Sequence, residues 1–138
     1  MNKVAALDLG NEWTGTALSD LSKTFARPHK TTATQNLDEF LTLLLKAEPI
    51  DTIVLGHPRT MRGTASQQTL LVEKAFEELQ QKFNTVQWVL WDERLSSKRA
   101  EQHKKKEHSK ENKLALHSIA AAFILDSYLT FLRAQQEL

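Results

Sequence analysis

Apolar positions along this chain fall first into short runs and later into helical spacing, so closely spaced strands precede the helices. Val4 to Leu9 is a short, mostly apolar run, and Trp13 to Ser19 follows it across Gly10, Asn11 and Glu12; the pair reads as a β-hairpin. A third strand is expected near Phe25 to Thr31, at a sheet edge, because Pro28 lacks the N–H that a central strand would use. Asn36 stands as an N-cap with Glu39 three residues on completing a capping box. Leu37, Phe40, Leu41, Leu44 and Leu45 then repeat at helical spacing until Pro49. Thr52 to Leu55 is a buried strand ending at Gly56 and Pro58. A second helix over Ser66 to Phe83 sets Leu70, Leu71, Ala75, Phe76 and Leu79 on one side, and Val86 to Trp91 is the next strand. A short helix is expected from Ser96 or Ser97, either of which can cap it. The last helix, Asn112 to Ala134, carries a broad apolar stripe of Ala115, Ile119, Ala122, Phe123, Leu129 and Leu132. The order β-β-β-α-β-α-β-α-α predicts an α/β protein with a five-stranded mixed sheet flanked by helices, one domain over residues 1–138.

Composition narrows the class. At 138 residues, 41% hydrophobic and 25% charged, the chain is long enough to bury about two-thirds of its unfolded surface and needs no disulfide or structural metal. The absence of cysteine excludes thiol catalysis and Cys-ligated zinc. Met1 to Leu7 is too short for the apolar part of a signal peptide. The longest apolar-rich stretch, Ile119 to Leu132, carries Asp126 and falls short of the roughly 20 residues of a spanning helix. A cytoplasmic protein without membrane contact is expected. The net charge of +1 conceals an uneven distribution, with seven basic residues against three glutamates between Lys98 and Lys113. Such a segment, with Lys104, Lys105 and Lys106 at its centre, is either an edge that tracks phosphates or a solvated loop.

Acids at the ends of apolar strands mark the candidate chemistry. Alternation puts Asp8 on the face of Ala6, where it pairs with a cation, caps the turn before Gly10 or holds a metal. Asp92 and Glu93 follow the last strand and cannot both face one site while that strand continues; one of them is expected to pair with Arg94 or Arg99.

Four motifs then occur in order. They are Leu7-Asp8-Leu9-Gly10 with Gly15-Thr16-Ala17-Leu18-Ser19-Asp20; Gly56-His57-Pro58 with Met61-Arg62-Gly63-Thr64; Asp92-Glu93-Arg94-Leu95-Ser96-Ser97 with Ala100; and Lys113 with Ser118-Ile119-Ala120-Ala121 and Ile124-Leu125. Together they resemble the YqgF family, the RuvX-like pre-16S rRNA nucleases with an RNase H-like fold, over essentially the whole chain. The resemblance implies metal-dependent phosphodiester hydrolysis, with Mg²⁺ or Mn²⁺ held by carboxylates. Its implied partner is a ribosomal RNA precursor or pre-ribosomal particle, with branched DNA as the alternative; the protein would be a monomer or homodimer. A non-catalytic ribosome-assembly factor that binds nucleic acid is the competing class. By motif match, Asp8 is the ligand from the first strand and Glu93 the acid from the last, with Asp92 its alternative. Gly56 is expected to leave an open gap between them.

The chain departs from the family pattern at several positions. An Asp is expected just before the Ser of the last helix, and His117 stands there; Asp126, nine residues on, lies roughly half a turn around the helix and cannot replace it. His117 is therefore the third candidate ligand and catalytic residue, and it suits Mn²⁺ better than Mg²⁺. Glu12 and Trp13 replace a basic pair; Trp13 is either edge packing or a surface for stacking an unpaired base. Arg59 and Arg62, in the loop after Gly56, and Arg94 are candidate phosphate contacts alongside the lysines. His57, where the family has an apolar residue, is expected as a loop residue rather than a ligand.

Overall fold

The computed structural model describes residues 1–58, 65–95 and 110–136. Five strands are present, β1 (Lys3–Leu9), β2 (Trp13–Ser19), β3 (Ala26–Ala33), β4 (Ile50–His57) and β5 (Gln87–Asp92), in the sheet order β3-β2-β1-β4-β5. β1, β2 and β3 pair antiparallel as a meander, whereas β4 and β5 run parallel to β1. Among the described residues, three helices accompany them: α1 (Leu37–Ala47), α2 (Gln67–Lys82) and α3 (Lys110–Gln136). This is the mixed, helix-flanked sheet expected from the pattern, and β3 lies at an edge as Pro28 requires. A bulge interrupts the β2–β3 register between Gly15 and Ala17. There the Thr16 hydroxyl donates to the Lys30 carbonyl at 2.6 Å and accepts from the Lys30 N–H at 3.1 Å, so the bulge leaves neither group unmet.

Period-two alternation divides the core. Ala5, Leu7 and Leu9 of β1 join Ile53, Leu55 and Trp88 under Leu37, Leu41, Leu44, Val72 and Leu79 of α1 and α2. Val4 and Ala6 face the other way, with Ala17 and Val54, onto Ala121, Ile124, Leu125, Tyr128 and Leu129 of α3.

Several helix details differ from expectation. A 3-10 turn, Thr34–Asn36, leads straight into α1, so Asn36 sits at φ −103°, ψ 11° rather than extended, and its side chain caps nothing. In α2 the buried residues are Thr69, Val72 and Leu79, and Ala75 and Phe76 pack against the same core as expected, while Leu70 and Leu71 are exposed. The phase is set by Ser66, which forms a capping box with Thr69, and by the Thr69 hydroxyl, which donates to the Pro58 carbonyl. The buried line of α3 runs through Ser118, Ala120, Ala121, Ile124, Leu125, Tyr128 and Leu129; of the expected stripe, Leu129 is buried and Ala122 and Leu132 pack against the same core, while Ala115 is exposed. By length and composition, the α3 segment Lys113–Gln136 does reach what a membrane span requires; its apolar side is instead the cover of the sheet. The caps expected at Ser96 and Ser97 lie outside the described residues.

Candidate active site

Asp8 is the last residue of β1 on the α3 face, following Val4 and Ala6, and is half-buried. Its cross-strand partner is Gly15. A Cβ on Gly15 would lie 1.9 Å from the His117 carbonyl oxygen and 2.6 Å from the Ser118 nitrogen, so the backbone of α3 rests directly on β2. That contact needs glycine, and it sets His117 above the strand pair that carries Asp8. It is also what fixes the rotation of α3, since Ser118 is turned inward and its hydroxyl donates to the Ala115 carbonyl at 2.9 Å.

Glu93 reaches the same face from the other side. β5 ends at Asp92, and Glu93 opens a 3-10 turn, Glu93–Leu95. A Cβ on Gly56 would meet Ile124 Cδ1 at 2.7 Å and the Cγ and Cδ of Glu93 at 3.0 Å. The expected open gap at Gly56 is therefore not open: released from the strand, Glu93 folds back over β4 and occupies it. Gly56 stands one step beyond the Leu7–Leu55 pair, beside Asp8, so Asp8 and Glu93 lie on the same face of the sheet, to either side of Gly56.

Asp92 is turned away. It is the partner of His57 across the β4–β5 ladder, and its Oδ1 accepts from the backbone N–H and Nε of Arg94, both at 3.0 Å. The side-chain bonds from Arg94, then its backbone N–H, hold this carboxyl below the usual carboxylate range against the opposing effect of burial. The anticipated Asp–Arg pair is thus Asp92 with Arg94, and a phosphate approaching Arg94 competes with that carboxylate. Arg59, Arg62, Lys104, Lys105 and Lys106 lie outside the described residues.

His57 ends β4 rather than standing in the loop. It is buried, and its Nε2 lies 3.0 Å from Glu73 Oε1 on α2, on the side of the sheet away from Gly56. Sequence reasoning missed this link between β4 and α2; the signal available was a histidine closing an apolar strand, with Glu73 on the following helix. Trp13 belongs to neither core and remains 38% exposed.

Among the described residues, no three His, Asp or Glu side chains converge closely enough to enclose a cation. Asp8, on β1, and Glu93, in the turn after β5, nevertheless bring hard oxygen donors to one face of the sheet, over which the α3 backbone at His117 rests on Gly15. The family model for RuvX, described as Holliday junction resolvase, matches residues 2–131. The chain belongs to this family. Among its relatives is a protein of Rubrobacter xylanophilus named "Putative pre-16S rRNA nuclease", 36% identical over 127 residues that span 92% of this chain and 91% of that one. A protein of the same name from Phocaeicola vulgatus is 30% identical over 135 residues, 94% of this chain and 96% of its own. Among solved structures, T. thermophilus RuvC in complex with a Holliday junction substrate superposes with a TM-score of 0.59 over 95% of this chain and 96% of that one. At 14% identity this likeness speaks for the fold, which is RNase H-like.

Proposed function

We propose that this RuvX-family protein is a divalent-metal-dependent nuclease that trims the 5′ end of the 16S rRNA precursor in the cytoplasm, with Asp8, Glu93 and His117 as its catalytic set. The observation that carries the reading is that Asp8 and Glu93 share one face of the sheet to either side of Gly56, where the backbone of α3 at His117 rests on Gly15. The names of the relatives support the substrate.

The donor set fits Mg²⁺ or Mn²⁺. Such ions take one or two protein carboxylates and complete their shell with water and phosphate oxygens, so three converging protein ligands are not required. Asp8 and Glu93 would hold the ion, and His117, a better partner for Mn²⁺ than for Mg²⁺, is its third candidate ligand. When bound, the ion supplies Lewis-acid stabilisation of the leaving oxygen and lowers the pKa of a water. The neutral imidazole of His117 can instead orient a water by hydrogen bonding. Arg59, Arg62, Lys104, Lys105 and Lys106 are assigned phosphate contacts, each of which releases counterions on binding. Arg94 joins them where the phosphate displaces Asp92.

The test is cleavage of a 5′-extended 16S precursor by the purified protein, with Mg²⁺ and Mn²⁺ in parallel. Wild type is expected to cleave, more strongly with Mn²⁺, and Asp8→Asn to lose cleavage at least a hundredfold while melting as wild type does. His117→Asp is expected to raise the Mg²⁺-dependent rate. Tight precursor binding without cleavage under either ion would instead identify a non-catalytic assembly factor, a reading favoured by His117 at the third position and by Glu12 and Trp13 in place of a basic pair. A four-way DNA junction in the same assay addresses the resolvase reading that the family description favours.

A further inference from the structure

The turn between β1 and β2 carries a second feature of the α3 face. Alternation along β2 returns Trp13 to the side of Gly15 and Ala17, which is the side of Asp8. Two residues of strand separate Trp13 from Gly15, about 7 Å, so the indole stands within roughly one nucleotide of Asp8. Its ring borders an open depression of about 320 Å³ whose other walls are Asn11, Glu12, Ala33 and Gln35. That is the lower end of the size range for small-molecule sites.

The lining has a particular chemistry. Among the described residues that line it, Glu12 is the one charged group, and a carboxylate repels phosphate, so the depression takes the uncharged part of a nucleotide. Asn11 and Gln35 each offer an amide donor and acceptor, and Glu12 offers acceptors only; these are the groups that read base edges, a carboxylate accepting from an exocyclic amine such as that of cytosine. No hydrogen bond among the described residues engages the side chains of Asn11, Glu12 or Gln35. The turn that presents them is nevertheless fixed. Thr34 donates its N–H to the Glu12 carbonyl at 2.9 Å and its hydroxyl to the Gly10 carbonyl at 2.7 Å, and its hydroxyl also lies 2.9 Å from that of Thr14. Gly10 closes the turn by donating to the Trp13 carbonyl at 3.0 Å, an approach that a Cβ at position 10 would block at 2.6 Å.

We propose that Trp13 is a stacking platform for one unpaired nucleobase next to the Asp8 face, with Glu12 selecting a base that carries an exocyclic amine. The inference rests on the nucleic-acid reading above and adds the substrate feature it implies: the strand is unpaired at or beside the position of cleavage.

The experiment reads binding without catalysis, using fluorescence anisotropy of a labelled single-stranded oligocytidine in EDTA. Trp13→Ala is expected to weaken binding about tenfold or more, and Trp13→Phe to recover most of that loss, because stacking needs a π face. Affinity for a duplex RNA of the same length stays unchanged in both variants. Glu12→Gln is expected to narrow the preference for oligocytidine over oligouridine. Equal affinity of wild type and Trp13→Ala for the single strand, with matching circular dichroism, overturns the platform, as does a wild type that binds no single strand. Binding through Trp13 by a protein that cleaves nothing keeps the platform and removes the nuclease reading instead.

Discussion

At the scale of the residue, two glycines do different work beside Asp8. A methyl group at Gly15 meets the backbone of His117 and Ser118, which cannot move without lifting α3 from the sheet. Gly15→Ala is expected to cost about 3 kcal/mol or more, the upper end for overpacking, read as a lowered urea midpoint. At Gly56 the same group meets the end of Ile124 and the chain of Glu93, both able to shift. Gly56→Ala is expected to cost only about 1 kcal/mol of stability while lowering kcat at least tenfold by displacing the carboxylate. If the two variants lost stability and activity in the same proportion, the distinction would be wrong. Asp8 was visible in the sequence because an acid at the end of an apolar strand is expensive unless it has a role. Strand alternation alone did not choose Glu93 over Asp92, since that depends on where β5 stops, a matter of one residue; the motif resemblance named Glu93, with Asp92 as its alternative. The filling of the space above Gly56 is a tertiary event that no local pattern carries.

At the scale of the element, the strands were legible nearly throughout, because alternation and β-branching act locally. Helix rotation was not. α2 contains apolar side chains at Leu70, Leu71 and Val72 in succession, so periodicity alone leaves its phase open; the Ser66–Thr69 box and the bond from Thr69 to Pro58 decide it. α3 is apolar nearly all round from Ile119 to Leu125, and its rotation follows from one backbone contact at Gly15. The caps make a paired prediction. Ser66 accepts from the Thr69 N–H at 3.2 Å, whereas Asn36, equally plausible in the sequence, accepts nothing. Ser66→Ala should cost about 1 kcal/mol and Asn36→Ala close to nothing, by thermal or urea unfolding.

At the scale of the whole molecule, acid is expected to loosen one end first. The Asp20 carboxylate organises the β2–β3 turn, where Lys23 adopts φ 58°, by accepting from the Thr24 and Phe25 N–H groups at 2.8 and 3.0 Å. The Ser22 hydroxyl, then the Phe25 N–H, hold its pKa at about 2. Asp92 is held low in the same sense by Arg94. Both folded values lie below the unfolded value of about 3.9. The stabilisation they give is therefore complete above that value and is lost as pH falls toward 2. Urea midpoints should decline across this window, and Asp20→Asn should flatten the decline; an unchanged slope would remove Asp20 from the explanation. The same turn is tied to the far end of α3, where Arg133 donates to the Thr24 carbonyl at 2.7 Å, so its loosening reaches the helix that carries His117. The glycine floor has a further consequence for how such a sequence can drift. Neither Gly15 nor Gly56 admits even a methyl group without displacing what lies above it, so no new ligand or charge can arise from beneath the reacting groups. Change in metal preference or substrate has to enter from the rim, through the turns after β1 and β4 and the exposed side of α3. The replacements at Glu12 and Trp13 fall at the turn after β1.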